Sequence, residues 1–254
     1  MKKKTATAAL AAVTIMAACT TPMTVTKTER SRILVDSTYD RHTDSRAEAF
    51  MQPYRQQVDS IMSPVVGKAA CYMVAERPES KLSNLLADVL IWAAERYGEK
   101  PDFSVYNMGG MRAAFAQGDV TTGDVLDVAP FENKICFLSL DGEEVMELFS
   151  QIASVGGEGV SHGVELTVDS NRKLLTARLN GKQPEAGKTY RIATLDYLAQ
   201  GNDKMEAFKK KKDVVMPEEE RNNVRYLIMD YFKEKAAQGK AVTAEVEGRI
   251  TVRK

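Results

Sequence analysis

Two hydrophobic periods alternate along most of this chain, and together they limit the folds it can adopt. Apolar residues recur every three or four positions over residues 47–62, which end before Pro64, and again over 82–93 and 145–152. This spacing predicts amphipathic helices, and a fourth helix is predicted from Pro217 onward. Strand-like runs lie between them, at residues 65–74, 103–106, 135–140, 163–169, 174–179, 188–195 and 243–252.

The predicted helices and strands are interspersed rather than grouped. This order indicates an α+β or mixed α/β fold in one domain, which we place at residues 46–254. Asn180-Gly181 lies between the runs 174–179 and 188–195. Because Asn-Gly favours a two-residue hairpin turn, we expect these two runs to pair with each other.

The N-terminus has the pattern of an export signal. Three lysines, Lys2 to Lys4, precede an apolar stretch over residues 6–18 that is too short to cross a bilayer. The stretch ends in Met16-Ala17-Ala18-Cys19, which resembles a bacterial lipoprotein cleavage box. We therefore predict a signal peptide over 1–18, lipidation at Cys19 and a polar tether over 19–45. A plain signal peptide with a chance cysteine is the alternative.

The lipid anchor would hold an exported domain at a membrane surface. Thr20 follows the cysteine where an aspartate would be the retention signal. This resemblance to lipoprotein sorting signals favours the outer membrane, on its periplasmic or surface face. Cys71 and Cys136 could pair in an oxidising compartment, but both lie in apolar runs, so two buried free thiols are the favoured prediction.

The overall charge is balanced, with 35 basic and 35 acidic residues. Nucleic-acid binding normally requires a basic surplus, so we predict no nucleic-acid partner.

Three loops carry residues suited to binding a ligand. They are Asn107-Met-Gly109-Gly110-Met-Arg112, Pro130-Phe131-Glu132-Asn133, and Leu195-Asp-Tyr197-Leu-Ala-Gln-Gly201-Asn202-Asp203. Paired glycines allow close backbone approach or a positive φ, and an arginine offers a fork for an anion. Taken singly, each loop also has a plain structural interpretation: a glycine turn with a surface arginine, a packed phenylalanine and a capped loop.

Together, in this order, the three loops resemble the C-terminal domain of the 5'-nucleotidase/UDP-sugar hydrolase family. That family carries Asn-x-Gly-Gly-x-Arg, then Pro-Phe-Gly-Asn, then an aromatic loop ending in Gly-Gly-Asp-Gly. The segment Leu82-Ser83-Asn84-Leu-Leu-Ala-Asp88 also matches the family's Gly-Asn-Leu-x-x-Asp segment. The resemblance covers about residues 47–254 and implies that family's fold, a layered sheet with flanking helices.

The resemblance implies roles for individual residues. Phe131 and Tyr197 match two aromatic residues that sandwich a nucleobase, and Asn107 matches an asparagine near the base. Arg112 matches an arginine that meets the substrate phosphate, and Asp203 matches an aspartate that accepts hydrogen bonds from ribose hydroxyls. With Gly109 and Gly110 of the first loop, these residues form the predicted substrate-binding set.

Several positions depart from the family pattern. Glu132 and Lys204 replace glycines, and Lys204 adds a cation near the expected pocket. Asn202 replaces another glycine, and asparagine tolerates left-handed backbone better than most residues. The other departures are Ser83 for a capping glycine and Pro78 for an arginine, with Arg77 adjacent as a substitute.

In this family the catalytic step belongs to a separate metallophosphoesterase domain that holds two metal ions. The chain has only two histidines, His42 in the tether and His162 in a loop, and neither lies in a metal-binding pattern. We therefore predict no catalytic residue, metal or cofactor in this chain, with divalent metals only in a partner metallophosphoesterase.

Three hypotheses about function follow. The first is a lipoprotein subunit that binds the nucleotide and completes a split 5'-nucleotidase for nucleotide catabolism, inactive by itself as a hydrolase. The second is a stand-alone nucleoside- or nucleotide-binding lipoprotein for capture or uptake. The third is a non-catalytic interaction module.

Overall fold

The computed structural model describes residues 24–38 and 44–253. The predicted signal peptide, Cys19 and His42 lie outside these residues. The chain divides into two units, one up to Met51 and the other from Gln52 to Lys254. In the first unit, residues 24–38 are exposed and form no helix or strand. None of the described helices combines the length and apolarity needed to span a bilayer.

Six α-helices lie in the described part of the chain. They are α1 (Ser45–Met62), α2 (Lys81–Ala94), α3 (Thr122–Val128), α4 (Gly142–Ser154), α5 (Asp196–Ala199) and α6 (Val224–Ala237). Short 3-10 helices occupy Glu95–Tyr97, Met108–Gly110, Asn202–Lys204, Glu206–Lys210 and Glu220–Asn222.

The strands form three sheets. In chain order they are β1 (Val65–Ala69), β2 (Phe103–Tyr106), β3 (Gly118–Thr121), β4 (Ile135–Asp141), β5 (Gly159–Val160), β6 (Val164–Asp169), β7 (Leu174–Leu179), β8 (Thr189–Leu195), β9 (Lys212–Val215) and β10 (Ile250–Arg253). The central sheet has the order β5-β2-β8-β4-β9. A second sheet has the order β10-β6-β7, and β1 pairs with β3.

The central sheet is buried on both faces along β2 and β4, whereas its edge strand β9 is exposed. Along β4, Ile135 and Phe137 pack into a core with α2, α3 and α6, whereas Cys136, Leu138 and Leu140 pack into a second core with α4 and the β10-β6-β7 sheet. Because side chains alternate between the faces of a strand, one apolar run supplies both cores. The predicted layered α/β architecture is confirmed.

The prediction that strands 174–179 and 188–195 form a hairpin is wrong. The turn itself forms, since Leu179 and Lys182 exchange both backbone hydrogen bonds around Asn180 and Gly181, which have φ values of 50° and 75°. β7 nevertheless pairs with β6, and β8 pairs with β2 and β4 in the central sheet. The turn redirects the chain, but pairing follows the apolar faces that the two sheets bury.

Some predicted boundaries also differ from the structure. The last helix begins at Val224, where the Asn223 side chain accepts a hydrogen bond from the Arg225 N–H as an N-cap, and not at Pro217. The final strand is confined to Ile250–Arg253, and the strand predicted over 65–74 ends at Ala69. The cores and sheets also use β3, β5, β9 and α3, which sequence periodicity did not reveal because they are short.

The two described cysteines are free thiols. Cys136 is buried, and burial raises the pKa of its thiol to about 11. Cys71 is only partly buried, and its Sγ lies 3.7 Å from Nζ of Lys81. The prediction of two free thiols is therefore confirmed, but burial is complete for only one of them.

Candidate functional site

The three loops singled out in the sequence meet at one edge of the central sheet. β2 runs parallel to β8, with Ser104 opposite Ala193, so the loops that follow these two strands leave the sheet on the same side. β4 runs antiparallel to β8, with Ile135 opposite Leu195, so the loop that precedes β4 lies at that edge as well. The strand register thus brings together segments that are far apart in sequence.

A pocket of about 180 Å³ lies where these loops converge. Its lining is Asn107, Gly109, Phe131, Asn133, Tyr197 and Asp203. Phe131 is 47% exposed and Tyr197 is 37% exposed, although both are large aromatic residues beside an extensive core. Exposed aromatic rings that line a concave site are typical of ligand binding rather than of packing.

Asp203 is the centre of the polar network in this pocket. Its Oδ1 accepts a hydrogen bond from the Tyr197 hydroxyl at 3.0 Å, and its Oδ2 accepts one from Nδ2 of Asn107 at 2.9 Å. The hydrogen bond to Asp203 is the main reason that the pKa of Tyr197 is raised. An ionised carboxylate accepts about four hydrogen bonds, so Asp203 retains acceptor capacity for a ligand.

Asn107 has unused capacity as well. The residue is 4% exposed, and in the described part of the chain its Oδ1 has no hydrogen-bond partner. A buried amide oxygen without a partner costs free energy, so Asn107 is held at this position by its contact with Asp203 and by the loop backbone.

The two glycines of the first loop have different roles. Neither adopts a positive φ, so that part of the sequence interpretation is wrong. A Cβ on Gly110 would lie 2.6 Å from Oδ1 of Asn107, whereas a Cβ on Gly109 would make only ordinary contacts, the nearest at 3.7 Å from Asp203. The Asn107 side chain therefore lies so close to the backbone of Gly110 that a larger residue at this position would displace it.

Arg112 lies outside the lining of the pocket, although its side chain reaches Gly109 in the same loop. Its side chain is exposed and does not line the pocket; Nη1 is 3.5 Å from the carbonyl oxygen of Gly109. Its backbone N–H donates to the carbonyl of Val128 at 2.9 Å, which fixes the end of the loop but leaves the guanidinium in solvent.

The third loop has an unusual backbone. Gly201, Asp203 and Lys204 have φ values of 86°, 53° and 67°, whereas Asn202 does not have a positive φ. The tolerance of asparagine for left-handed backbone is therefore not used at Asn202, whose Nδ2 donates to the carbonyl of Tyr197 at 2.8 Å. Left-handed backbone costs about 1 kcal/mol for a side chain such as lysine. Lys204 is thus held in a conformation that glycine adopts freely.

A second pocket of about 250 Å³ adjoins the first. Its lining is Arg77, Gly109, Val155, Glu158, Asp203 and Lys204. Glu158 is 2% exposed and accepts hydrogen bonds from the Met108 N–H and from Nη2 of Arg77, the latter at 2.6 Å. Burial raises the pKa of Glu158, although both hydrogen bonds oppose the shift.

Sequence reasoning missed three of these lining residues as site residues, namely Asn133, Val155 and Glu158. Asn133 belongs to the Pro130–Asn133 loop, and its place two residues before β4 was the available signal. Glu158 lies between Gly157 and Gly159 in a loop with no recognised pattern, and its isolation among glycines was a weak signal.

The structure offers no metal centre among residues 24–38 and 44–253. No group of three or more histidine, cysteine, aspartate or glutamate side chains is arranged there to hold a metal ion. His162 is an exposed loop residue whose Nδ1 lies 2.8 Å from Oε2 of Glu247.

Comparison with known proteins finds similarity to nucleotide-processing enzymes. The trifunctional nucleotide phosphoesterase YfkN of Bacillus subtilis is 27% identical over 251 residues, which include 89% of this chain and 16% of that protein. The 5'-nucleotidase of Vibrio vulnificus is 27% identical over 176 residues, which include 68% of this chain and 31% of that protein.

The crystal structure of a 5'-nucleotidase precursor from Thermus thermophilus superposes with a TM-score of 0.69 at 27% identity. The match covers 82% of this chain and 43% of that one. This chain therefore spans less than half the length of each of these three proteins. The model of the family described as 5'-nucleotidase, C-terminal domain, matches residues 65–210, which contain the three convergent loops and both pockets, and the chain belongs to that family.

Proposed function

We propose that this chain binds a nucleotide or nucleoside and completes a 5'-nucleotidase whose metallophosphoesterase is a separate subunit. The pocket between Phe131 and Tyr197, with Asp203 at its side, is the observation that carries the proposal. Family membership supports a substrate-binding domain of a nucleotidase.

The aromatic pair supplies the affinity for a base. Phe131 and Tyr197 come from two different loops that line the pocket, and both leave much of their surface in solvent. Stacking a base on an aromatic ring contributes about 1–3 kcal/mol of binding free energy and depends little on which base it is. A planar nucleobase between the two rings would remove both from water, which gives these exposed aromatic residues a role.

Asp203 and Asn107 supply polar recognition of the sugar and base. Asp203 has lone pairs left for two hydroxyl donors after its bonds to Tyr197 and Asn107. A ribose presents two adjacent hydroxyl groups, so the carboxylate matches its donor pattern.

The hydrolytic step would come from the partner. Two metal ions that activate water and stabilise the phosphoryl charge suit phosphate cleavage, and the part of the chain that the structure describes has no group of side chains able to hold one. The relatives named above are longer than this chain and are named as nucleotidases or phosphoesterases. The proposed lipid at Cys19 would hold this exported subunit, and the partner docked on it, at a membrane surface.

A thermal-shift experiment tests the binding half of the proposal. Adenosine or AMP at about 100 times its Kd should raise the melting temperature by about 5–10 °C, because ligand binding at that excess stabilises the folded state by about 2.7 kcal/mol. Phe131→Ala should remove most of the shift. Tyr72→Ala, which truncates an exposed aromatic outside the pocket, is the control and should retain it.

A reconstitution assay tests the catalytic half. The purified chain should release no phosphate from AMP with Mn²⁺ or Zn²⁺, and activity should appear when a metallophosphoesterase from the same cells is added. Phosphate release by the chain alone would contradict the split-enzyme proposal. Binding without any activating partner would favour a stand-alone capture lipoprotein, and no binding of any nucleoside would leave the interaction-module hypothesis.

A further inference from the structure

The two pockets at the sheet edge form a continuous site. Gly109 and Asp203 line both of them, with the aromatic pair on one side and Arg77, Glu158 and Lys204 on the other. If a base lies between the rings and a sugar meets Asp203, then a group attached to the far side of the sugar enters the second pocket. The charge in that pocket therefore decides which ligands are favoured, and this inference rests on the proposed function.

Arg77 contributes little net charge to the second pocket. Its Nε donates to the carbonyl of Gly157 at 2.8 Å and its Nη2 donates to Glu158 at 2.6 Å. The Glu158 side chain is 1% exposed and the Arg77 side chain 43% exposed, so the pair is closely held and only partly solvated. One positive and one negative charge nearly cancel.

Lys204 neutralises the negative charge that remains in this pocket. With the Arg77–Glu158 pair neutral, Asp203 would leave the pocket with one net negative charge, which repels a phosphate. The Lys204 ammonium offsets that charge, and within the described residues it has no acidic partner of its own. It is therefore available to pair with an anionic ligand.

Lys204 has a left-handed backbone conformation, which indicates that its side chain has a functional role. Its φ of 67° is a conformation that glycine adopts without strain, and the family pattern has glycine at the corresponding place. Lysine at this position costs stability and contributes no internal ion pair in the described structure. A contact with a ligand would compensate for that cost.

We propose that Lys204 is a specificity residue that favours ligands bearing a phosphate on the sugar over uncharged nucleosides. Its ammonium would pair with phosphate oxygens in the second pocket while the base occupies the first. Asp203 would then act in both pockets: it would accept hydrogen bonds from the sugar hydroxyls, and its negative charge would be balanced by Lys204.

Equilibrium titration of adenosine and AMP into the full chain and its variants tests this proposal. Lys204→Met should weaken AMP about three- to tenfold, the usual range for losing one charge-assisted contact at a partly exposed site, and should leave adenosine unchanged. Lys204→Gly should give the same ratio of AMP to adenosine affinity as Lys204→Met. Because glycine also relieves the backbone strain, equal ratios would assign the effect to the lost charge and not to the strain. Added NaCl should weaken AMP binding less in either variant than in the unchanged protein.

Lys233→Met, on an exposed turn of α6, is the matched control and should bind both ligands as the unchanged protein does. The proposal is overturned if Lys204→Met weakens adenosine and AMP equally, or if it changes neither while both still bind. Failure of the proposed function has a different signature, because the unchanged protein would then bind neither adenosine nor AMP.

Discussion

Tyr197 has both an aromatic ring and a hydroxyl group in the candidate site, whereas phenylalanine would supply only the ring. Tyr197 lines the first pocket, as Phe131 does, and its hydroxyl donates to Asp203. The residue that would stack on the base thereby orients the carboxylate that would accept from the sugar. Asn107 holds the other carboxylate oxygen, so the orientation of Asp203 is set before any ligand arrives. Such preorganisation lowers the entropy lost on binding.

Tyr197→Phe should weaken adenosine about threefold and leave the free base adenine unchanged. The ring remains for stacking, but Asp203 loses one of the two hydrogen bonds that orient it, a net loss near the lower end of the usual range for a hydrogen bond. Isothermal titration with adenosine and adenine checks the prediction. Tyr197→Ala is the comparison and should weaken both; equal weakening by Tyr197→Phe would show that the hydroxyl does not act through the sugar.

Helix α2 carries a family motif whose role is structural. Ser80 and Ser83 form a capping box at its N-terminus, so Ser83 replaces the family's glycine within the helix rather than before it. Nδ2 of Asn84 donates to the carbonyl of Glu245, and Asp88 pairs with Arg249 in a bidentate contact of 2.7 and 2.9 Å. The motif thus attaches the segment before β10 to the helix.

Arg249→Met should destabilise the fold by about 2–3 kcal/mol, less than for a fully buried pair, because both carboxylates that it pairs with are 38% exposed. Arg249 is 3% exposed, pairs with Asp88 and Glu247, and donates to the carbonyl of Val160 at 2.7 Å. Removing it leaves partly buried carboxylates and a buried carbonyl without their donor, which is the costly way to break an internal ion pair. Urea unfolding followed by circular dichroism measures the change.

Arg253→Met is the control for the loss of an arginine at the same end of the chain. Arg253 is exposed at the end of β10, and surface substitutions of this kind change stability by no more than about 0.5 kcal/mol. Equal effects of the two substitutions would contradict the assigned role of Arg249.

Glu158 connects segments from three parts of the molecule. Arg77 precedes α2, Met108 follows β2, and Glu158 itself lies in the loop after α4. One buried carboxylate therefore ties the first binding loop to the wall of the second pocket. Because burial raises the pKa of Glu158 above its ordinary value of 4.5, this connection is also sensitive to pH.

Glu158→Gln should alter how stability depends on pH. A raised pKa in the folded state means that the folded protein binds the proton more tightly than the unfolded chain does. The resulting stabilisation is complete below pH 4.5 and is lost as the pH rises through the folded-state value. The free energy of unfolding of the unchanged protein should thus fall, relative to Glu158→Gln, as the pH rises above 4.5.

Urea titrations between pH 4 and pH 8 measure this difference. Glu165→Gln replaces an exposed carboxylate on β6 and is the control. A constant difference between the unchanged protein and Glu158→Gln across this range would contradict the proposed effect of burial on Glu158.

Local pattern predicted the elements whose residues carry a strong period. α2, α4, β2 and β4 lie where the apolar spacing placed them, because an amphipathic helix or buried strand is encoded within its own residues. The three binding loops were identified by resemblance, and five of the seven predicted binding residues line the first pocket. The sequence therefore indicated the class of fold, the family and most of the site.

Long-range packing determined the rest. β7 pairs with β6 despite the Asn180-Gly181 turn, since partner choice depends on which faces the two cores bury. Arg112 is exposed to solvent although it lies in the first loop. Glu158 and Lys204 line a second pocket because strand register, and not sequence spacing, brings the loops that carry them together. Hydrophobic periodicity relates only residues two to four positions apart, whereas this site is assembled from residues as much as 127 positions apart, from Arg77 to Lys204.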